Sequence, residues 1–280
     1  MSIVINVKNN KTPHFWHFMM GEFLPIVFII ARLQPKVVIL YNKNRKWGNL
    51  FDNFYKELGV EIVFSNKIGG KMRKINYNKW DYKWNEIGKF KCKFAINYLK
   101  YLAIKKYGIE REQSNDVLVQ YRINKEELDI FYKKTYGNSG FAGYGADRRK
   151  FFGMDKLNEF LPNIKYVNTD GLPILEQISK YINHNKIILE HGAGMFFTLF
   201  MNKNSRILEF IPPKKIVIKN GAVQGLRRIS NLLKFHLRRI IVANKTSVLK
   251  KRGQIINFNN DFLKNTKVND VNVNNHILEI

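Results

Sequence analysis

The stretch KIILEHGAGMFFTLFMNKNSRILEFI, residues 186–211, decides the fold class of this chain. Its opening run, Ile187–Leu189, is as apolar as a parallel strand that is buried on both faces. The chain then turns at His191–Gly194, continues through an apolar, helix-like segment and ends in a second strand, Arg206–Ile211. Strand, glycine turn, helix and strand in this order form a βαβ unit. The stretch therefore predicts an α/β fold with parallel strands.

The glycine turn lies where the carboxyl end of a strand meets the amino end of a helix, and ligands bind at this edge of open α/β sheets. Backbone N–H groups and the positive end of the helix dipole attract phosphate there. Gly192 and Gly194 carry no Cβ, so the main chain can come close to a ligand. We expect His191, Gly192, Ala193 and Gly194 to form a phosphate-binding turn. A tight turn beside a buried core histidine would give the same pattern.

The rest of the chain repeats the alternation of strands and helices in two runs. The first run predicts strands and helices in the order Ser2–Val7, Phe15–Leu33, Val37–Tyr41, Trp47–Leu58 with Gly59 as its end, Val60–Phe64 and Phe90–Tyr107. Residues 65–85 show no period and predict a loop with one hairpin at most. The second run predicts Asp116–Arg122, Met154–Leu161, Ile164–Asn168, Leu172–Ile182, the glycine-turn unit and a basic helix, Ala222–Val242. We expect two Rossmann-like lobes facing a cleft, residues 1–112 and 113–280, the second ending in an Asn-rich tail.

Composition narrows the function classes. A single cysteine, Cys92, excludes a disulfide scaffold and a cysteine-based zinc site. The net charge of +26 is typical of proteins with anionic partners, including nucleic acid, but a general bias towards Lys and Asn would produce it as well. No signal-peptide pattern precedes the first strand, and the most apolar stretch, Phe23–Leu33, is short for a bilayer span. We expect a cytoplasmic protein without a transmembrane segment, of microbial or large-virus origin.

Four blocks of the sequence, in order, resemble those of glycosyltransferase family 61. They are HFMMGEFLP from His17 to Pro25, the strand end Tyr121–Arg122 with the later Arg148–Arg149, LEQI from Leu175 to Ile178, and the HGAG turn with its strand ending in Glu209. The resemblance implies a GT-B type fold in compact form. It also implies an inverting, metal-independent transfer of a sugar to a hydroxyl group of a glycan or a protein. The donor would be a nucleotide-sugar, with uridine diphosphate (UDP) as the expected carrier.

Transfer from such a donor needs fixed groups that bind the leaving diphosphate. The sequence contains no Asp-x-Asp pair for a divalent ion, so we expect no metal and assign the diphosphate to arginines and the glycine turn. Arginine suits this role because its planar guanidinium binds phosphate oxygens in pairs. The candidates are Arg122, at a predicted strand end, and Arg148 and Arg149. Glu209 ends the strand after the turn and is the candidate partner of the ribose hydroxyls.

The acceptor hydroxyl must also lose a proton to a base. His17 and Glu22 are the candidates, and His14 is equal to His17 by spacing alone. In an α-helix, positions 17 and 22 would not share one face. Two other functions fit the same sequence: a basic nucleic-acid-binding protein, and a catalytically inactive protein that binds a nucleotide-sugar.

Overall fold

The structure is a computed structural model of the chain. It describes residues 2–7, 15–41, 54–65, 72–75, 86–110, 114–121, 130, 157, 161, 163–190, 192–211 and 236–241. The chain divides into two compact units. The first comprises Met1–Glu110 with Leu172–Lys180, and the second comprises Arg111–Gly171 with Tyr181–Ile280. Among the described residues, each unit contains a parallel sheet, the first unit contains α-helices and the second contains a 3₁₀ helix, so the expected α/β class is confirmed.

The first unit is built on four parallel strands in the order β3-β2-β1-β4. These are β1 (Ser2–Val7), β2 (Val37–Tyr41), β3 (Glu61–Ser65) and β4 (Met72–Ile75). β1 pairs with β2 on one side and with β4 on the other. The direction of the chain across the sheet therefore reverses between β1 and β4. In parallel sheets this is the place where a crevice opens at the carboxyl ends of the strands.

The segment after β1 is helical from Phe15 to Leu33, as predicted, but it is not uniform. α1 (Phe15–Phe18) leads into a π-helical turn (Met19–Phe23), which continues into α2 (Leu24–Leu33). α2 packs against α3 (Glu86–Tyr107), and the Phe28 and Phe94 rings meet edge to face at 5.8 Å. The buried positions of α3 recur at helical spacing and form its core-facing stripe, namely Cys92, Ala95, Ile96, Leu99 and Ala103.

A shared carboxylate joins three helical segments of the first unit. Glu57 lies in a short 3₁₀ turn (Lys56–Leu58), which ends at Gly59 in the left-handed conformation (φ 73°), the end predicted from the sequence. Glu57 Oε2 accepts the backbone N–H of Leu175 at 2.8 Å, and Glu57 Oε1 accepts a hydrogen bond from Lys106 Nζ. Leu175 is the second residue of α4 (Ile174–Ser179), whose N-cap, Pro173, makes no side-chain cap bond. Glu57 therefore acts as the cap of α4, from 118 residues away.

The second unit is built on five parallel strands in the order β6-β5-β7-β8-β9. These are β5 (Val117–Gln120), β6 (Ile164–Val167), β7 (Lys186–Glu190), β8 (Arg206–Ile211) and β9 (His236–Ile241). Counted within the unit, the order is 2-1-3-4-5, which is that of flavodoxin-type sheets. A 3₁₀ helix, Ala193–Phe200, connects β7 to β8.

Two sequence predictions are wrong. Residues 72–75 form β4, which is parallel to β1 and not part of a loop or hairpin. Residues 236–241 form β9, which is parallel to β8, so this part of the predicted basic helix is extended. Both are edge strands rich in basic residues. Charge suits a sheet edge because it discourages pairing with other chains, but it removes the apolar pattern from which a strand is recognised.

The other predicted elements agree with the structure within a few residues wherever it describes them. The segment after the glycine turn is a 3₁₀ helix rather than an α-helix. The predicted helix Met154–Leu161, residues 222–235 and the Asn-rich tail lie outside the described residues, apart from residues 157 and 161. Across the described ranges, no helix combines the length and the hydrophobicity that a bilayer crossing requires.

Candidate functional site

The site lies at the carboxyl edge of the second sheet, between β5 and β7. These strands are neighbours, with Leu118 opposite Ile187 and Gln120 opposite Leu189. The chain leaves β5 towards β6 on one side and leaves β7 towards β8 on the other. The two connections therefore diverge, and the sheet has its topological switch point here. On one side of this point, β5 ends at Gln120 and is followed by Tyr121. On the other side, the glycine turn follows β7.

The glycine turn is shaped by close packing against β5. Gly192 is buried and extended (φ 170°), and its carbonyl accepts the N–H of Met195 at 3.2 Å. A Cβ built on Gly194 would lie 2.0 Å from Gln120 Nε2. The backbone of Gly194 does not need the left-handed conformation, so glycine is required for the approach of the Gln120 amide. This amide occupies space over the turn that the sequence analysis assigned to a diphosphate.

Among the described residues, Gln120 contains the atoms nearest to where a Cβ on Gly194 would lie. Its Oε1 is buried and has no hydrogen-bond partner among the described residues. A buried amide oxygen without a partner is costly, and a water molecule or a ligand donor usually satisfies it. Gln120 was not among the residues singled out from the sequence. Its contact with Gly194 joins the end of β5 to a turn 74 positions later in the chain. The only local signal is that the apolar run VLV ends in a polar residue.

The helix after the turn is a fixed support. Its residues from Met195 to Phe200, and Met201 beyond it, are all buried. The ring of Phe197 stacks on Tyr181 at 5.3 Å, and Phe196 packs edge to face on Phe200 at 5.4 Å. A helix that is apolar on every side belongs in a core. The packing of these side chains fixes the helix that follows the turn. Within that helix, the Thr198 hydroxyl donates a hydrogen bond to the Met195 carbonyl at 2.7 Å.

Glu209 lies within β8, two residues before its end, and not at the end of the strand as predicted. β8 is the neighbour of β7, which the turn follows. Glu209 is opposite Leu189 of β7 and Arg239 of β9, and its side chain is fully buried, with 0% exposure. The carboxylate is therefore inside the second unit rather than on a surface open to a ribose. Its role towards a ribose stays a prediction, and it requires the site to open at this position.

Several predicted site residues lie outside the described residues. They are Arg122, Arg148, Arg149 and His191, together with the side chains of His17 and Ala193. Among the residues predicted to bind the diphosphate, the structure places Gly192, the Ala193 backbone and Gly194 at the switch point.

Glu22, in the first unit, is buried in an aromatic cluster. It is 4% exposed, and Tyr55 Oη donates a hydrogen bond to its Oε1 at 3.1 Å. The rings of Phe18, Phe23 and Phe54 contact one another, and the rings of Phe18 and Phe23 also contact Tyr55. Glu22 belongs to the π-helical turn, a feature that occurs frequently at functional sites. In an α-helix, positions 17 and 22 would be about 140° apart. A π-helical turn contains more residues than an α-helical turn, so it brings positions 17 and 22 closer to one face of the helix. Their separation by five positions is therefore a weaker objection to a shared face.

No group of three or more His, Cys, Asp or Glu side chains within the described ranges is arranged to bind a metal ion. No protein-family model matches the chain. No curated protein matches its sequence at a significant level.

Proposed function

We propose that this chain is a glycosyltransferase that moves a sugar from a nucleotide-sugar, with UDP as the expected carrier, to a hydroxyl group of a glycan or a protein. The observation that carries the proposal is the position of the glycine turn. Gly192 and Gly194 lie at the switch point of a five-stranded parallel sheet, and the Gln120 amide nitrogen, a hydrogen-bond donor, is directed at Gly194. Nucleotides bind at this position in doubly wound sheets. The family 61 resemblance supplies the reaction.

In this proposal the second unit binds the donor. The backbone of the turn and the arginines Arg122, Arg148 and Arg149 would bind the diphosphate. The Gln120 amide lies over Gly194, so it would either move aside or donate a hydrogen bond from Nε2 to a diphosphate oxygen. An amide at the end of a flexible side chain can do both. The absence of an Asp-x-Asp pair from the sequence supports a transfer without a metal.

The first unit would bind the acceptor, as in a GT-B enzyme. The acceptor oxygen forms a bond to the anomeric carbon, the bond from that carbon to the diphosphate breaks, and a base takes the hydroxyl proton. Displacement in one step inverts the anomeric carbon. His17 is the candidate base, and the Glu22 carboxylate, buried five positions later, would orient it or share its proton. His14 is the alternative base.

Donor binding is tested directly by the melting temperature of the protein with UDP, with and without Mg²⁺. A ligand that binds only the folded state at 100 times its Kd stabilises it by about 2.7 kcal/mol. We expect UDP to raise the melting temperature without Mg²⁺, and Arg122→Ala to abolish the shift. Arg32→Ala is the matched control, because Arg32 is an exposed arginine of the first unit. If no nucleoside diphosphate shifts the wild-type protein, the donor site is refuted.

The outer face of α3 favours a second candidate function, nucleic-acid binding. Phe90 and Tyr101 are 64% and 57% exposed, and the exposed Lys93 and Lys105 lie on the same helix face. Aromatic rings between lysines are the elements from which single-strand binding surfaces are built. The charge of +26 would add to such binding.

This candidate is tested by the salt dependence of oligonucleotide binding. Two phosphate contacts contribute about 1.4 to the slope of log K against log salt for a single strand. The variant K93Q/K105Q should lose this amount, whereas K165Q/K203Q, two exposed lysines of the second unit, should not. Equal loss in both variants means that the binding is diffuse, and α3 is then not a nucleic-acid surface.

UDP binding without turnover of any sugar donor would favour the inactive, nucleotide-sugar-binding alternative.

A further inference from the structure

Two tyrosines form an exposed aromatic pair beside the switch point of the second sheet, one just after β5 and the other on its neighbour β6. Tyr121 and Tyr166 are 38% and 37% exposed, and their ring centroids are 6.1 Å apart at an interplanar angle of 79°. No role is predicted for either ring from the sequence. Two neighbouring exposed rings close to the carboxyl edge of a parallel sheet, where ligands bind, are candidates for contact with a ligand.

The position of the pair follows from the strand register. Tyr166 is opposite Val119, and side chains alternate along a strand. Tyr121 therefore lies on the same face of the sheet as Tyr166, one pair nearer the carboxyl edge. The Tyr121 N–H donates to the Val167 carbonyl at 3.4 Å, so the sheet also holds the backbone of Tyr121.

Gln120 lies between the tyrosine pair and the glycine turn in the structure. Gln120 packs against Gly194, and Tyr121 is the residue that directly follows β5. Because neighbouring residues of a strand point to opposite faces, the two contacts lie on either side of the same strand end. A ligand that crosses this end can touch the turn with one part and the tyrosine pair with another. Such a ligand has an anionic part and a flat, π-bonded part.

We propose that Tyr121 and Tyr166 form a stacking platform for the nucleobase of the donor. The proposal rests on the proposed function and adds the part of the site that distinguishes a nucleotide from a free phosphate. A ring held by the sheet loses little freedom when a base stacks on it, and every base presents a π face. The edge-to-face arrangement fixes both rings and leaves part of each exposed.

The experiment is calorimetric titration of the folded protein with UDP and, separately, with inorganic pyrophosphate. We expect Tyr121→Ala to weaken UDP binding about tenfold, the order of effect that removal of one stacking aromatic group has. Tyr121→Phe keeps the ring and should bind UDP within about twofold of the wild type. Tyr166→Ala should weaken UDP binding less than Tyr121→Ala. Pyrophosphate affinity should be the same in all four proteins.

Two controls keep the outcomes separate. Tyr101→Ala removes an exposed tyrosine of α3 in the first unit and should leave UDP binding unchanged. Tyr121→Leu keeps an apolar side chain without a π face and should behave like Tyr121→Ala, which guards against a folding defect in the smaller variant. If the wild type binds UDP and both Tyr121→Ala and Tyr166→Ala bind it equally well, the stacking platform is refuted and the donor site stands. If the wild type binds neither UDP nor pyrophosphate, the proposed function itself fails, and the platform fails with it.

Discussion

Replacing Gly194 by alanine tests the packing of the glycine turn without any ligand. The new Cβ would lie 2.0 Å from Nε2, 3.0 Å from Cδ and 3.3 Å from Oε1 of Gln120. Ordinary contact begins at 3.4 Å, so the amide, which is the far end of a flexible side chain, must move by about 1.4 Å and give up its packed position. Overpacking of this kind costs about 1–3 kcal/mol. Alanine in place of glycine regains about 0.4–1 kcal/mol through the unfolded chain, since Gly194 has no left-handed backbone to lose.

We therefore expect Gly194→Ala to lower the free energy of unfolding by about 1 kcal/mol, and we expect the loss to depend on Gln120. In a Gln120→Ala background the obstructing amide is gone, and Gly194→Ala should be neutral or stabilising by about 0.5 kcal/mol. Urea unfolding of the wild type, both single variants and the double variant gives the coupling energy. Independent sites add to within about 0.3–0.5 kcal/mol, so additive costs would refute the contact on which the site geometry depends.

Two further predictions concern the first unit. Glu57→Ala removes both the cap of Leu175 and the partner of Lys106, so it should lower the free energy of unfolding by about 1–2 kcal/mol, most of it from the cap. The exposed Glu61→Ala is the control, and an equal loss there would contradict the capping role. Burial raises the pKa of the Cys92 thiol above its ordinary value of 9.0, so above that pH the unfolded chain loses a proton that the folded protein keeps. Stability should thus fall as the pH rises through 9, by about 1.4 kcal/mol per pH unit. In thermal unfolding between pH 8 and 10, Cys92→Ala should not show this fall in stability. If Cys92→Ala and the wild type have the same pH dependence, burial does not raise the pKa of the thiol.

The elements with strong local signals were predictable. β1 and β2 have the predicted bounds, and the helix after β1 ends at Leu33, as expected. Gly59 ends its helix in the left-handed conformation because only glycine adopts it without strain. The glycine turn between β7 and β8 was also visible, since two apolar strands border it.

The candidate site was predictable only in part. The motif located the turn at a strand end, but not the amide that packs on it. Nothing in VLVQY indicates that Gln120 reaches Gly194 or that Tyr121 meets Tyr166, because each contact depends on which strand becomes the neighbour of β5. The π-helical turn at Glu22 was missed for a similar reason. Its backbone is fixed by packing within an aromatic cluster rather than by the propensities of its own residues.

Local patterns in the chain predict the α/β class, the alternation of strands and helices and the place of the glycine turn. These depend on residues close together in the chain, through apolar periodicity, chain reversal at glycine and the burial of whole strands. The tertiary structure decided the strand orders, the recruitment of β4 and β9 as edges and the capping of α4 by Glu57. Such pairings link residues tens of positions apart. Their free energy appears only when both partners are held in place, and no local pattern records it.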